Sequence, residues 1–214
     1  MNARVARLTL AALAVLSTLG GCASTLDVGY PETVANRALL ASVTPRRVAV
    51  GPITDRRLDQ TRIGAKPKNG DAIVTTRPVA DIVSEALVVE LTKNGHAVVP
   101  DEGDIRIAVD VEEFWLDTAG RNATTQYVGR VAFAVAVTDG RTGAPFLVRR
   151  YAGIKRRQAE ADSQDAWREV MDTALARTMR DIATDPGFVA ALARGPASGQ
   201  RGDGAARADR AGDL

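Results

Sequence analysis

The chain has 214 residues, of which 45% are apolar and 25% are charged, a balance that suits one globular domain with its ends. Two of its 28 basic side chains, Arg4 and Arg7, lie within residues 1–21, and none of its 26 acidic side chains does, so the chain without this segment carries no net charge. A neutral chain has no strong general attraction to nucleic acid, and a single cysteine, Cys22, excludes an intramolecular disulfide.

The first residues have the features of a secretion signal. Asn2 to Arg7 carries two arginines and no acid, and Leu8 to Leu19 is an apolar run shorter than the roughly 20 residues that span a membrane. Leu19, Gly20, Gly21 and Cys22 follow in an order that resembles the lipobox of bacterial lipoproteins. The resemblance implies cleavage before Cys22 and attachment of lipid to its thiol. The alternative is an ordinary cleaved signal that ends in small residues beside an unrelated cysteine.

The residues after Cys22 bear on the location of the protein. Ala23 and Ser24 stand where some lipoproteins carry an aspartate. In lipoproteins of Gram-negative bacteria, lack of that aspartate resembles sorting to the outer membrane. We therefore expect a protein that is lipid-anchored to the outer membrane and faces the periplasm, with the inner membrane as the less favoured location.

The sequence predicts four segments. They are a signal peptide (1–21), a lipid anchor and tether (22–45), a single α+β domain (46–193) and a disordered tail rich in Gly, Ala and Arg (194–214). The domain begins with a strand from Arg46, in which Gly51 and Pro52 indicate an edge position or a bulge. Residues 58–71 are typical of a loop, and Ala72 to Thr75 of a short strand.

A first amphipathic helix is predicted from Pro78 to Asn94, with Gly95 as its cap. Its buried stripe consists of Val79, Ile82, Val83, Ala86, Leu87 and Leu91. After a short strand at His96 to Val99, alternating apolar residues predict three long strands that begin near Ile105, Thr125 and Pro145. The alternation breaks at Glu113, which indicates a bulge.

A second amphipathic helix is predicted from the N-cap Ser163 to Asp185, where Pro186 stops it. The fold class is therefore α+β, with a mostly antiparallel sheet and two long amphipathic helices packed on one face. The other face of the sheet is expected to be open to solvent or to a partner.

The sequence offers no catalytic set. His96 is the only histidine, and it is expected at a loop or strand end; with one histidine and one cysteine, a transition-metal site is not expected either. Glu112 and Glu113 are adjacent on a strand, so they point to opposite faces unless a bulge redirects them. We predict no catalytic residue, no metal site and no cofactor.

Four basic clusters occur in the domain: Arg46-Arg47, Arg56-Arg57, Arg149-Arg150 and Lys155-Arg156-Arg157. They would merge into one positive patch if the first and last strands paired, and such a patch would suit anionic headgroups or an acidic partner. In a domain without net charge, scattered arginines balanced by acids are the favoured interpretation.

Several segments together resemble the YajG family of bacterial lipoproteins. These are Val48-Ala49-Val50 leading into Asp55-Arg56-Arg57, the Ile63-Gly64 loop, the helix end Leu91-Thr92-Lys93-Asn94-Gly95, and the alternating strands that follow. The resemblance covers about residues 46–192 and implies an envelope lipoprotein with no assigned reaction.

The interpretation we favour is a membrane-anchored, non-catalytic interaction or scaffold protein of the periplasm, with an envelope protein as partner and no nucleic acid. The alternative is an auxiliary lipoprotein of an envelope transport or lipid-handling system, which would need an apolar groove or exposed apolar patch.

Overall fold

The computed structural model describes residues 23–31, 39–120 and 124–194. Within these residues the chain forms eight strands and three α-helices, with a short 3-10 helix at Leu39–Ser42. In chain order they are β1 (Ser24–Leu26), β2 (Arg47–Asp55), β3 (Gly64–Ala65), β4 (Ala72–Thr75), α1 (Val79–Lys93), β5 (Ala97–Val99), β6 (Ile105–Ala119), β7 (Thr124–Asp139), β8 (Pro145–Glu160), α2 (Gln164–Thr184) and α3 (Pro186–Ala193).

The strands form one mixed sheet around β6. One edge of β6 pairs with β7 along almost its whole length, and β7 pairs in turn with β8, both antiparallel. The other edge of β6 pairs in parallel with β2 in its first half and with β3 at Leu116. The longest ladders are thus antiparallel, as predicted. The parallel partners of β2, which are β5 and β6, were not anticipated from the sequence.

Both predicted bulges are confirmed. The β2–β6 register shifts between Val50 and Ile53, across Gly51 and Pro52. The β6–β7 register shifts between Val111 and Glu113. Gly51-Pro52 lies in the bulge on the β6 side of β2, and it also lies beyond Ala49, the last residue of β2 that pairs with β5.

The predicted tether differs from the structure over its described residues. Ser24–Leu26 is a strand that pairs in parallel with β4, and Leu26 and Val28 are 2% and 0% exposed. Leu40 and Val43 are also buried. A strand of three residues is too short to show an alternating pattern, so it could not be predicted from the sequence. Because its apolar side chains are buried, the segment is part of the domain and not a free spacer.

Helix α1 starts after Pro78, as predicted, and contacts β2 and β5. Helix α2 begins at the predicted cap, where the Ser163 hydroxyl accepts a hydrogen bond from the Ala166 N–H. Asp185 ends α2 and caps α3, because its carboxylate accepts from the Gly187 and Phe188 N–H groups. None of the helices in the described ranges is long and apolar enough to cross a membrane.

Helix α2 lies directly on the strand backbones of β7 and β8. An added Cβ at Gly129 would lie 2.4 Å from the Val170 carbonyl oxygen, and one at Gly153 would lie 2.2 Å from the Ala174 carbonyl oxygen. Side chains that alternate with these glycines therefore point away from α2. We call this side of β6, β7 and β8 the outer face.

Candidate functional site

The outer face carries small residues in its middle and charged residues along its length. From the register, its central rows contain Ala108, Ala136 and Val148, then Asp110, Ala134 and Arg150, then Glu113, Ala132 and Ala152, then Trp115, Arg130 and Ile154. Alanines keep the surface shallow, so groups from another molecule can approach the sheet closely. The outer face therefore combines a shallow centre with charged side chains.

A cavity of about 470 Å³ opens at the end of the outer face nearest the β2–β3 loop. Its lining combines two aromatic residues, one exposed leucine, three arginines and four acids: Trp115, Phe114, Leu58, Arg57, Arg130, Arg150, Asp59, Glu112, Glu113 and Asp117. Tryptophan and arginine are enriched where proteins bind proteins most tightly.

The β2–β3 loop that forms one wall of the cavity is held rigidly by Arg57. This side chain is 7% exposed and donates from Nε and Nη2 to the Asp55 carboxylate, at 2.9 and 2.8 Å. Its Nη1 also donates to the Arg62 carbonyl oxygen at 2.9 Å. Because a bidentate arginine pair fixes geometry, the loop has a defined shape.

The same loop carries the most exposed large apolar side chain among the described residues. Leu58 is fully exposed, while Val148 and Ile154 on the outer face of β8 are 73% and 42% exposed. Single exposed apolar residues are common on proteins. Here three of them share one face with Trp115, and one of them stands on a rigid loop.

Asp59 stabilises the turn that follows Leu58. It accepts from the Thr61 hydroxyl at 2.6 Å and from Arg62 Nε at 2.7 Å, and these bonds lower the pKa of Asp59 to about 2. The carboxylate is therefore ionised at neutral pH. The Arg62 guanidinium in turn lies 5.8 Å from the centre of the Trp115 ring.

Glu112 and Glu113 line the same cavity because the β6 bulge turns both side chains to the outer face. Each faces an arginine: Glu112 lies 2.6 Å from Arg150, and Glu113 lies 3.9 Å from Arg130. Asp117 lies 2.6 Å from Arg130 and accepts from the Trp115 indole N–H at 2.9 Å. With side chains 39% and 37% exposed, Glu112 and Glu113 are solvated, ion-paired carboxylates.

His96 has a structural position. It is 3% exposed, and its Nδ1 accepts from the Arg46 N–H at 3.3 Å. Burial lowers the pKa of His96. A search of residues 23–31, 39–120 and 124–194 found no group of three or more His, Cys, Asp or Glu side chains that could hold a metal ion.

The basic clusters do not merge into a patch, because β2 and β8 do not pair. Arg46 is buried and donates to the Ala193 carbonyl oxygen at 2.8 Å, while Arg149 lies 2.5 Å from Asp185. Lys155 and Arg157 both contact Glu169. The favoured interpretation of balanced, scattered arginines agrees with this arrangement.

The predicted attachment residues lie outside the described residues. They are Leu19, Gly20, Gly21 and Cys22. The predicted tail 194–214 also lies outside the described residues, except for Arg194. Conversely, sequence reasoning missed Leu58, Trp115, Val148 and Ile154 as a group. The sequence feature that pointed to them was the break in alternation after Val111. Beyond this bulge the odd-numbered residues of β6, and no longer the even-numbered ones, point to the outer face, so Trp115 lies there.

Comparison with solved structures finds a protein of similar fold. The crystal structure of protein XCC0632 from Xanthomonas campestris has 16% identity, covers 78% of this chain and 94% of its own, and has a TM-score of 0.54. At this identity the likeness shows the fold alone. A minor lipoprotein from Acinetobacter baumannii has 16% identity, coverage of 61% and 89%, and a TM-score of 0.38. Lipoprotein GNA1162 from Neisseria meningitidis has 12% identity, coverage of 52% and 84%, and a TM-score of 0.34.

No curated protein matches the chain. A family model described as "Uncharacterized lipoprotein" matches residues 51–193, which is most of the described domain from β2 to α3. The chain therefore belongs to this family of uncharacterised lipoproteins.

Proposed function

We propose that this lipoprotein is anchored by lipid on Cys22 to the outer membrane, faces the periplasm, and acts there as a non-catalytic interaction or scaffold protein. Its partner is another envelope protein, which binds the outer face of β6–β8. We also propose that the chain is a member of the YajG family and that both long helices pack on one face of the sheet. Contact between α1 and α2 supports the latter.

The observation that carries the proposal is the fully exposed Leu58 on a loop fixed by the Arg57–Asp55 pair. Exposing an apolar side chain on a rigid loop serves no folding purpose, because the loop is already held by Arg57. A preorganised apolar anchor next to a tryptophan-lined cavity is the arrangement that gives tight protein binding at low entropic cost.

The lipid-handling alternative receives less support. It would need an apolar groove between helices and sheet, whereas α2 lies on the backbones of Gly129 and Gly153 and the space is filled by buried side chains such as Trp167 and Tyr127. A lipid tail has no room at this contact.

Photocrosslinking in intact envelopes tests the proposal. A photoreactive amino acid at Val148 is introduced into the otherwise native chain and into two further variants, Leu58→Glu and Thr142→Glu. We expect one reproducible adduct in the native background, a loss of about tenfold or more with Leu58→Glu, and no change with Thr142→Glu, which places the same charge in an exposed turn away from the cavity. Absence of an adduct, or equal adducts in all three backgrounds, would count against a partner on the outer face.

A further inference from the structure

Strand β1 begins almost immediately after the proposed site of lipid attachment. Ala23 is the only residue between Cys22 and Ser24, the first residue of β1. Two residues of extended chain span about 7 Å at most. The lipid would therefore join the protein within about 7 Å of the edge of the sheet.

Several contacts hold the segment after Cys22 against the domain. The Thr76 N–H donates to the Leu26 carbonyl oxygen at 3.2 Å, and the Thr76 hydroxyl donates to Asp27 at 3.2 Å. The Gly29 N–H donates to Asp172 on α2 at 3.0 Å. Detaching β1 to lengthen the connection would also expose Leu26 and Val28, which are completely buried. The connection to the lipid therefore stays short.

The register shows which end of the sheet lies beside the start of β1. Ser24 pairs with Ile73, Ile73 with Gly64, and Gly64 with Leu116. Since β1 runs parallel to β4, the residue before β1 lies near the turn before β4, at residues 66–71. We call this turn, together with the end of β6, the start of β7 and the end of β8, the anchor end.

The opposite end of the sheet is far from the anchor. There Ile105 pairs with Asp139, and the exposed turn 140–144 follows. Ile105 and Leu116 are 11 residues apart on β6, which at about 3.3 Å per residue separates the two ends by about 35 Å.

We propose that the anchor end rests on the headgroup layer of the membrane and that the turn 140–144 points away from it. This inference rests on the proposed lipidation of Cys22. Acyl chains buried in the bilayer hold Cys22 at the headgroups, and the short connection brings the anchor end with it. The long strands then rise from the membrane, so the outer face is open to a protein that approaches along the bilayer.

The charge of the anchor end indicates what kind of lipid surface it contacts. Lys66 lies 4.0 Å from Asp71, and Lys68 lies 3.8 Å from Asp162. Both lysines of this turn are therefore paired with acids, so in this proposal the acyl chains, and not an excess of basic residues, hold the contact. The contact does not require anionic lipid.

Site-specific quenching tests this orientation with the full-length, lipidated protein in phosphatidylethanolamine–phosphatidylglycerol vesicles that carry a headgroup spin label. Because Cys22 is the only cysteine and its thiol is blocked by lipid, a cysteine introduced elsewhere is the only site for a fluorescent label. The probe position is Lys68→Cys at the anchor end. The matched control is Arg141→Cys, which also replaces an exposed basic residue in a turn.

We expect the label at position 68 to be quenched several-fold more than the label at position 141. Inserting about 20 Gly/Ser residues between Ala23 and Ser24 should remove the difference, because a linker of that length reaches roughly 25 Å. Equal quenching at the two positions, stronger quenching at 141, or a difference that survives the linker would overturn the orientation. Mass spectrometry of the same sample reads the lipid on Cys22: its absence overturns both proposals, whereas lipid without the quenching pattern overturns the orientation alone.

Discussion

A buried carboxylate joins the N-terminal segment to α1. Glu90 is 1% exposed and accepts from the Tyr30 hydroxyl, from Asn94 Nδ2 at 2.9 Å and from Lys93 Nζ at 2.8 Å. Burial and the bond to Glu90 raise the pKa of Tyr30 above its ordinary value, so the hydroxyl keeps its proton and stays a donor. A buried charge with several donors is satisfied, which explains how a glutamate occupies an otherwise apolar position.

Asp172 makes a second connection, from α2 to the same segment, and this one responds to pH. Burial raises the pKa of Asp172 from 3.8 to about 6, with a smaller contribution from Asp27, although the Gly29 N–H and Arg168 act in the opposite direction. The folded protein thus binds this proton more tightly than the unfolded chain does. Burial of the ionised Asp172 carboxylate therefore lowers the free energy of unfolding by its full amount above about pH 6, and this loss disappears as the pH falls below about 4.

Replacing Asp172→Asn should therefore stabilise the protein at pH 7.5. The amide oxygen still accepts from the Gly29 N–H, and the buried charge is gone. We expect a gain of about 1–2 kcal/mol in the free energy of unfolding at pH 7.5 and convergence of the two proteins near pH 4, measured by urea unfolding. Asp81→Asn, which removes another helix carboxylate, serves as the control. A gain for Asp172→Asn that does not shrink between pH 7 and pH 4 would contradict this account.

The sequence predicted the apolar stripe of α1 but not the polar cluster within it. Glu90 lies in the same stripe, three residues after Leu87, and a charged residue is ordinarily assigned to the solvent side. Its partner Tyr30 is 60 residues away in the sequence, so no local pattern could pair them. Contacts of this kind depend on the tertiary fold.

At the scale of elements, the contact between α2 and the sheet depends on two glycines. Gly129 and Gly153 sit on neighbouring strands below the α2 backbone, and the Thr178 hydroxyl donates to the Ala174 carbonyl oxygen beside this contact at 3.0 Å. Close approach of backbones leaves no space for a methyl group. The register of α2 on the sheet is thereby fixed.

The variant Gly153→Ala should destabilise the domain strongly for so small a change. Its Cβ would lie 2.2 Å from the Ala174 carbonyl oxygen, so α2 must move or strain. We expect a loss of about 2 kcal/mol or more and a Tm lower by about 5 °C. Gly29→Ala is the matched control, since a Cβ there meets nothing within 4 Å. Equal melting temperatures for the two variants would show that α2 does not rest on Gly153.

The long elements could be predicted and the short ones could not. Strands β6, β7 and β8 each have 15 or 16 residues, which is enough for alternation to appear and for its break at Glu113 to indicate the bulge. Strands β1 and β3 have 3 and 2 residues and carry no period. Their place is set by burial and by partners elsewhere in the sheet, as is the parallel pairing of β2 with β6.

At the scale of the molecule, the candidate site depends on a feature that local reasoning could not reach. Trp115 and Leu58 line the same cavity. Strand β2 ends beside the middle of β6, where the Arg56 N–H donates to the Val111 carbonyl oxygen at 2.9 Å, and the loop that carries Leu58 follows. The outer face consists of the side chains of β6, β7 and β8 that point away from α2, which lies over Gly129 and Gly153. The side chains that line the cavity are brought together because β6 pairs with β2 in its first half and with β3 at Leu116.

We expect the protein to depend on Cys22 for its location in the cell envelope and not for its folding. The segment after Cys22 is held to the domain by buried Leu26 and Val28, so a chain with Cys22→Ala should fold with an unchanged Tm. Without the thiol, lipid cannot be attached, and cleavage that follows lipid attachment should fail. Fractionation of the cell envelope, with gel mobility to separate precursor from mature protein, measures the result: we expect uncleaved or misplaced protein. Cys22→Ala protein that is cleaved and still behaves as an integral membrane component would show that another segment provides the anchor, and the short connection from Ser24 to the bilayer would lose its basis.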